Sequence, residues 1–160
     1  MAAMETLVLI GASVIDGTGA KPARGRAVVV EGGRITRVVD AARAPRGRRI
    51  DLSGCTLLPG LINCHVHLGL GADSGTPLNF DGSLVPELTL RVTYGVTALE
   101  AIRSATSVAA EALGLGGETG RVAAGYAADL LAVAGQSAER IGALGDVRLV
   151  RARGAIFRSP

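Results

Sequence analysis

Aromatic side chains are nearly absent from this 160-residue sequence, which has two Phe, two Tyr and no Trp. Hydrophobic residues still make up 48% of the chain, so a core has to be built from Val, Leu, Ile and Ala. Few aromatics disfavour a nucleic-acid-binding protein, because bases stack on such rings. The small net charge of +3 points the same way, and we expect no nucleic-acid partner.

Cysteines and long apolar runs are also scarce. Cys55 and Cys64 are too few for a disulfide framework, and in their apolar surroundings we expect each to pack as a small hydrophobe. No run reaches about 18 apolar residues, so we expect no membrane-spanning helix. The first residues carry Glu5 before a short apolar run and lack the basic region of a signal peptide. These features predict a cytoplasmic protein in a reducing compartment.

One dense basic segment stands out from the scattered arginines. Residues 43–49 hold four arginines beside one proline and one glycine. Proline and glycine interrupt regular structure, and charged side chains favour water. This composition predicts a solvated loop.

Both ends of the chain contain short segments rich in Val, Leu and Ile, which is typical of strands. They lie at residues 6–15, 27–31, 34–39, 50–52, 55–58, 128–134 and 147–157. Gly32-Gly33 predicts a hairpin turn between the second and third segments, and Arg153-Gly154 predicts another within the last. Neither end supplies enough strands for a stable sheet of its own. We therefore expect the two ends to pair with each other in one small β domain.

The middle of the chain predicts helices, first at residues 86–94 and then at residues 97–113. Thr97 and Glu100 match a capping box, and Gly114 is placed to end the second helix. Apolar residues recur along this second segment at helical spacing. We interpret that stripe as a core-packing face.

The strongest chemical signal is the pair His65 and His67, the two histidines of the sequence. In a strand, residues two apart point to the same face, so both imidazoles can reach one metal ion. Imidazole suits Zn, Fe, Ni, Mn or Co, and the pair alone does not choose among them. On its own the pair also agrees with two structural or exposed histidines that bind no metal.

The context of this pair resembles one enzyme superfamily. Residues 57–68, Leu-Leu-Pro-Gly-Leu-Ile-Asn-Cys-His-Val-His-Leu, are similar to the metal-dependent amidohydrolase motif that enters the first barrel strand. Residues 14–19 and 28–35 resemble the first strands of the β domain in that superfamily. Residues 120–130, with Tyr126 where Lys is common, resemble the return to that domain. Members of the imidazolonepropionase-like and cyclic-imidase-like groups look most similar.

The resemblance implies a mixed α/β fold with two parts. Residues 1–59 and 118–160 are expected to form a small composite β-sandwich domain. Residues 60–117 are expected to be a truncated remnant of the (β/α)8 barrel of a metal-dependent hydrolase. The implied substrate is a small molecule with a hydrolysable carbon–nitrogen bond, such as a non-peptide amide or a cyclic amide.

The resemblance also implies a ligand set for a divalent metal ion, most naturally zinc, with the number of ions left open. His65 and His67 would bind the metal. Asp73, in a Gly-rich segment similar to the end of the last barrel strand, would bind the metal or its water and act as general base. An ordinary Gly-rich turn is the alternative interpretation of that segment.

Much of the superfamily's catalytic domain is missing from the sequence. A complete (β/α)8 barrel needs about 250 residues. Only the five residues 68–72 separate His67 from Asp73, whereas two parallel strands need a crossover of about a dozen residues or more. The expected bridging Lys and further His ligands are absent between them, and Asn63 stands where the superfamily usually has Asp. The sequence therefore predicts an internally truncated member.

Three functional hypotheses remain open from the sequence. The first is a metal-dependent hydrolase of carbon–nitrogen bonds that is impaired by loss of most of the barrel. The second is a non-catalytic fragment that folds or forms homo-oligomers through its β domain, because a helical stripe without a barrel to cover promotes association. The third is a module that binds metal without turnover.

Overall fold

The computed structural model describes residues 5–63 and 84–160. Within these residues the chain forms nine β-strands and three α-helices. The strands are β1 (Leu7–Ile10), β2 (Ser13–Val14), β3 (Arg26–Glu31), β4 (Arg34–Asp40), β5 (Arg48–Asp51), β6 (Cys55–Pro59), β7 (Leu130–Ala134), β8 (Val147–Ala152) and β9 (Ala155–Arg158). The helices α1 (Val85–Thr93), α2 (Ala98–Ser104) and α3 (Ser107–Ala112) lie between β6 and β7. This arrangement is the expected mixed α/β fold.

The strands form two sheets, and both contain parallel and antiparallel pairs. The first sheet has the order β4-β3-β1-β5, with β5 parallel to β1. The second sheet has the order β2-β6-β7-β8-β9, with β2 parallel to β6. The antiparallel pair β6–β7 runs from Cys55 opposite Ala134 to Pro59 opposite Leu130. Strands from the two ends of the chain therefore pair directly, as the sequence predicted.

The two predicted hairpins are present. Strands β3 and β4 pair from Glu31 opposite Arg34 back to Arg26 opposite Asp40. Strands β8 and β9 are joined by Arg153 and Gly154, whose φ angles are 49° and 81°. Two successive residues with positive φ are typical of a type I′ turn, whose twist matches that of the flanking strands.

One hydrophobic cluster lies between the two sheets. Leu9 and Val28 of the first sheet share it with Leu57, Leu130 and Leu149 of the second, and all five side chains are buried. Strand residues two apart face the same side, so β6 sends Leu57 into this cluster and the next residue to the other side. The sheets are thus held together by aliphatic side chains, as the scarcity of aromatics requires.

A second hydrophobic cluster covers the opposite face of the second sheet. Leu58 and Val133 of that sheet pack with Leu88 of α1 and Ile102 of α2, all with no measurable exposure. Burying a side chain of this size contributes about 1.5–3 kcal/mol. The second sheet therefore lies between the first sheet and the helices.

The helices differ in one respect from the prediction. The capping box is present, since Glu100 N donates to Thr97 Oγ1 at 3.2 Å and Thr97 N donates to Glu100 Oε2 at 3.0 Å. The prediction of one continuous helix over residues 97–113 is wrong, because α2 ends before Ala105 and α3 starts at Ser107. The Ala105 carbonyl, at the end of α2, accepts a hydrogen bond from the backbone N–H of Ile62 at 2.8 Å. This carbonyl therefore bonds to a residue that is distant in the sequence.

The predicted end of the helical segment at Gly114 is confirmed. Gly114 has φ 74°, and its N–H donates to the Glu111 carbonyl at 3.0 Å. The N–H of Leu115 donates to the Ala110 carbonyl at 2.8 Å, which completes a Schellman motif. The apolar stripe is buried at its start, whereas Leu113 at its end is 53% exposed.

The basic segment is only partly a loop. Residues 48 and 49 belong to β5, where Arg48 pairs with Leu7 and Arg49 pairs with Val8 of β1. Both arginines remain exposed, so the prediction of a solvated segment is correct and the prediction of a loop is wrong for its last residues. Parallel pairing with a buried strand at the centre of the sheet outweighs the local Pro and Gly signals.

The apolar packing predicted for Cys55 is present, since this free cysteine is partly buried against the cluster between the sheets. Cys64 lies outside the described residues. Across residues 5–63 and 84–160, no helix combines the length and apolar character that crossing a membrane requires.

Candidate functional site

The predicted metal ligands His65, His67 and Asp73 lie outside the described residues. Their positions relative to one another therefore stay a prediction. The structure describes the chain on the N-terminal side of the pair up to Asn63, and it resumes at Leu84.

The segment that leads to the histidine pair is held on two sides. After β6 ends at Pro59, the N–H of Gly60 donates to the carbonyl of Asp129 at 2.9 Å, just before β7. Two residues later the N–H of Ile62 donates to the carbonyl of Ala105 at 2.8 Å, at the end of α2. The chain therefore leaves the second sheet between the start of β7 and the helical layer.

Asp129, the acidic residue of the predicted return motif, also has a structural role through its side chain. Its Oδ1 accepts from the backbone N–H of Arg153 at 2.8 Å, and its Oδ2 accepts from Thr119 Oγ1 at 3.2 Å. One carboxylate thus connects the loop before β7 to the β8–β9 turn. Two hydrogen bonds to a charged acceptor are each worth about 1.5–3 kcal/mol.

A cavity of about 430 Å³ adjoins the same segment. Leu61 and Ile62 line it from the chain that leaves β6, Leu115 from the loop after α3, and Leu131 and Val150 from the second sheet. Small-molecule sites are typically concave, mostly apolar and about 300–1,000 Å³ in volume. The cavity has the size and character of such a site, and it lies beside the residues that precede the histidine pair.

Sequence reasoning missed Arg151, which lines this cavity and is only 6% exposed. Its Nη1 donates to the carbonyl of Ala128 at 2.9 Å. Burial lowers the pKa of the guanidinium, and the nearby carboxylate of Asp129 opposes that effect. Leu149 and Arg151 lie two residues apart in β8, so the period of two places this charged side chain on the same side of the strand as a buried leucine.

The donor chemistry of the predicted ligand set fits a divalent ion. Two imidazoles and one carboxylate are the minimum set of protein ligands in some catalytic zinc sites. Residues 5–63 and 84–160 contain no group of three or more His, Cys, Asp or Glu side chains placed to bind a metal. Any such site in this chain therefore needs ligands from residues 64–83.

Comparison with known proteins gives a family match over more than half of the chain. The amidohydrolase family model matches residues 69–156. N-acyl-D-aspartate deacylase of Alcaligenes xylosoxydans xylosoxydans is 38% identical over 95 residues, which are 59% of this chain and 17% of the deacylase. Imidazolonepropionase of Klebsiella pneumoniae (strain 342) is 53% identical over 45 residues, 28% of this chain and 11% of that enzyme. This chain therefore spans less than a fifth of the length of these two relatives.

A solved structure supports the fold. The crystal structure of a prolidase complexed with N-methylphosphonate-L-proline superimposes with a TM-score of 0.71 and 14% identity, covering 97% of this chain and 100% of the prolidase. At that identity the likeness concerns the fold alone. The matched family model, the two relatives and the shared fold agree with the motif around His65 and His67, and the chain belongs to the amidohydrolase family.

Proposed function

We propose that this chain hydrolyses a carbon–nitrogen bond in a small molecule, a non-peptide amide or a cyclic amide, with the help of a divalent metal ion. The observation that carries the proposal is the anchoring of the segment before the histidine pair. Gly60 and Ile62 are hydrogen-bonded to two different elements, and both line the apolar cavity. The names of the two relatives, a deacylase and an imidazolonepropionase, agree with this class of substrate.

Three side chains would carry the chemistry. His65 and His67 would hold the metal ion, and zinc is the ion that two imidazoles and a carboxylate favour in hydrolases. When bound, the ion would polarise the substrate carbonyl and acidify the attacking water. Asp73 would orient that water and accept its proton as general base. The shortened barrel leaves fewer loops to bind substrate, so we expect weaker catalysis than in a complete member of the family.

We further propose the division of the chain that this chemistry requires. Residues 1–59 and 118–160 would act as a composite β-sandwich domain, and residues 60–117 as the remnant of the catalytic barrel. The shared cluster between the sheets and the β6–β7 pair support the first part. The location of the predicted ligands after Gly60 supports the second.

Metal content is the first test. The purified 160-residue chain should contain close to one equivalent of a divalent metal, measured by mass spectrometry after buffer exchange. The His65→Ala/His67→Ala double variant should lose it. Asp146→Asn is the matched control, because Asp146 is an exposed carboxylate in an ion pair with Arg148. The proposed site is wrong if the unmodified chain contains no metal, or if the double variant retains as much.

Turnover is the second test. With zinc added, the chain should hydrolyse an N-acyl amino acid or a cyclic imide faster than the zinc-containing buffer does. Asp73→Asn should abolish that activity, since loss of a general base costs about 10²–10⁴-fold. Equal activity of Asp73→Asn and the unmodified chain would contradict the role of Asp73.

A second candidate function rests on the outer side of the helices. Leu90 is 53% exposed, Tyr94 81% and Leu113 53%, although the helices pack well on their inner side. Exposed apolar side chains of this size favour association when they form a patch. A non-catalytic chain that forms homo-oligomers through this surface would sediment as a dimer or larger species at micromolar concentration. A monomer in analytical ultracentrifugation would count against this alternative.

A further inference from the structure

A second and larger cavity, of about 820 Å³, lies where the two sheets meet the β8–β9 turn. Val30, Gly33 and Arg34 line it from the β3–β4 hairpin, and Gly154 lines it from the opposite hairpin. The two turns approach each other closely, since a Cβ placed on Gly33 would lie 3.6 Å from the Cα of Gly154. The hairpins of the two sheets thus bound one end of the cavity.

The lining of this cavity is strongly charged. It includes six ionisable side chains: Glu5, Arg34, Arg48, Asp129, Arg151 and Arg153. The lining thus holds four positive and two negative charges. A cavity wall of low dielectric constant strengthens the field of such a cluster.

The two carboxylates offset only part of the positive charge. Asp129 already accepts hydrogen bonds from Arg153 N at 2.8 Å and from Thr119 Oγ1 at 3.2 Å. Glu5 Oε1 lies 3.8 Å from Arg48 Nη1, and both of these side chains are more than half exposed. An exposed pair at that distance is weak. The cavity therefore keeps a positive potential.

Arg151 supplies an independent observation. Although it is more than nine-tenths buried, its Nε has no hydrogen-bond partner within the described parts of the chain. Its two terminal nitrogens donate to backbone carbonyls, those of Ala128 at 2.9 Å and Gly154 at 3.3 Å. A guanidinium stays protonated and offers five donors in a planar fork. The two bonds to backbone carbonyls use one hydrogen of each terminal nitrogen, so each terminal nitrogen keeps a second hydrogen that can be donated to an anion in the cavity.

We propose that this cavity binds a small organic anion through its carboxylate or phosphate group. The guanidinium fork matches both groups bidentately, and charge-assisted hydrogen bonds of this kind are among the strongest in proteins. The volume exceeds that of a single inorganic ion and fits a small metabolite. Arg151 would hold the buried end of the anion, and Arg48 and Arg153 would neutralise it from the open side. The proposal does not depend on the hydrolase activity.

Isothermal titration calorimetry on the full chain tests the proposal with two probes, succinate and inorganic phosphate, in a buffer of low ionic strength. We expect saturable binding of at least one probe. The Arg48→Gln/Arg153→Gln double variant should weaken it by at least about tenfold, because it removes two positive charges that are expected to donate charge-assisted hydrogen bonds to the anion. Tighter succinate binding would identify a dicarboxylate class, and tighter phosphate binding a phosphate ester.

The matched control is Arg37→Gln/Arg43→Gln, which removes the same charge from exposed residues outside the cavity. It should bind as the unmodified chain does. Arg48→Gln alone, which leaves the β8–β9 turn unchanged, should weaken binding by a smaller factor. The proposal is overturned if neither probe saturates, if the cavity variants bind normally, or if the control loses as much affinity as the cavity double variant.

Discussion

Replacing Gly120 with Ala should be one of the most destabilising single-methyl changes in this chain. Gly120 has φ 83°, a left-handed conformation that costs an L side chain about 1–2 kcal/mol. A Cβ there would also lie 2.8 Å from Ala110 Cβ, 2.8 Å from the Thr106 carbonyl oxygen and 3.1 Å from Ser107 Cα. These neighbours are backbone atoms or a methyl group, so no flexible side chain can move aside.

The magnitude follows from adding the two effects. Overpacking by one carbon costs about 1–3 kcal/mol, which together with the backbone strain gives roughly 2–5 kcal/mol. Small domains are stable by about 5–15 kcal/mol, so the variant should lose a large part of its stability. Urea unfolding followed by far-ultraviolet circular dichroism would measure the change in midpoint.

Two other glycines separate the contributions. Gly114 has φ 74° and open space around it, so Gly114→Ala should show only the strain of about 1–2 kcal/mol. Gly117 has neither positive φ nor any neighbour within 4 Å of the place a Cβ would take, so Gly117→Ala should be neutral or stabilise by about 0.4–1 kcal/mol. If Gly120→Ala is no less stable than Gly114→Ala, the close packing of residue 120 against α3 is wrong.

Three further results are expected. Leu58→Ala should lower the free energy of unfolding in urea by about 2–5 kcal/mol, since this side chain is fully buried. Leu90 is half exposed, so Leu90→Ala should change the free energy of unfolding by less than about 1 kcal/mol. Equal losses in the two variants would contradict the packing of the helices on the second sheet. Thr97→Ala should cost about 1 kcal/mol by removing the N-cap of α2, and an unchanged midpoint would show that the cap does not stabilise the fold. Burial raises the pKa of the Cys55 thiol by disfavouring the thiolate. In a Cys64→Ser variant, the alkylation rate of Cys55 should therefore rise at a higher pH in the folded chain than in the urea-unfolded chain. Identical dependence of the alkylation rate on pH in the two states would contradict the burial.

Local sequence signals predicted the elements whose conformation depends on neighbouring residues. The Gly32-Gly33 and Arg153-Gly154 turns specify their hairpins through positive φ, and Thr97 with Glu100 specifies the start of α2. These features needed no knowledge of distant contacts.

Other features depend on contacts between distant residues, which no local pattern contains. At the break between α2 and α3, the Ala105 carbonyl accepts a hydrogen bond from Ile62, more than forty positions away in the sequence. Arg48 joins a strand because β1 is beside it. For the site, the motif around His65 predicted the family, which the comparisons confirm, whereas the burial of Arg151 depends on how the two sheets pack together.

The β6–β7 pair has a consequence for how the length of this protein can change. Pro59 and Leu130 are register partners, so the chain leaves the second sheet and returns to it at neighbouring positions. The entropy of closing a flexible connection grows only with the logarithm of its length, and each doubling costs about 0.6 kcal/mol. A fourfold longer insert at this junction would thus cost roughly 1.2 kcal/mol in closure. The paired strands can accept segments of very different size between residues 59 and 130 while the sheets keep their register.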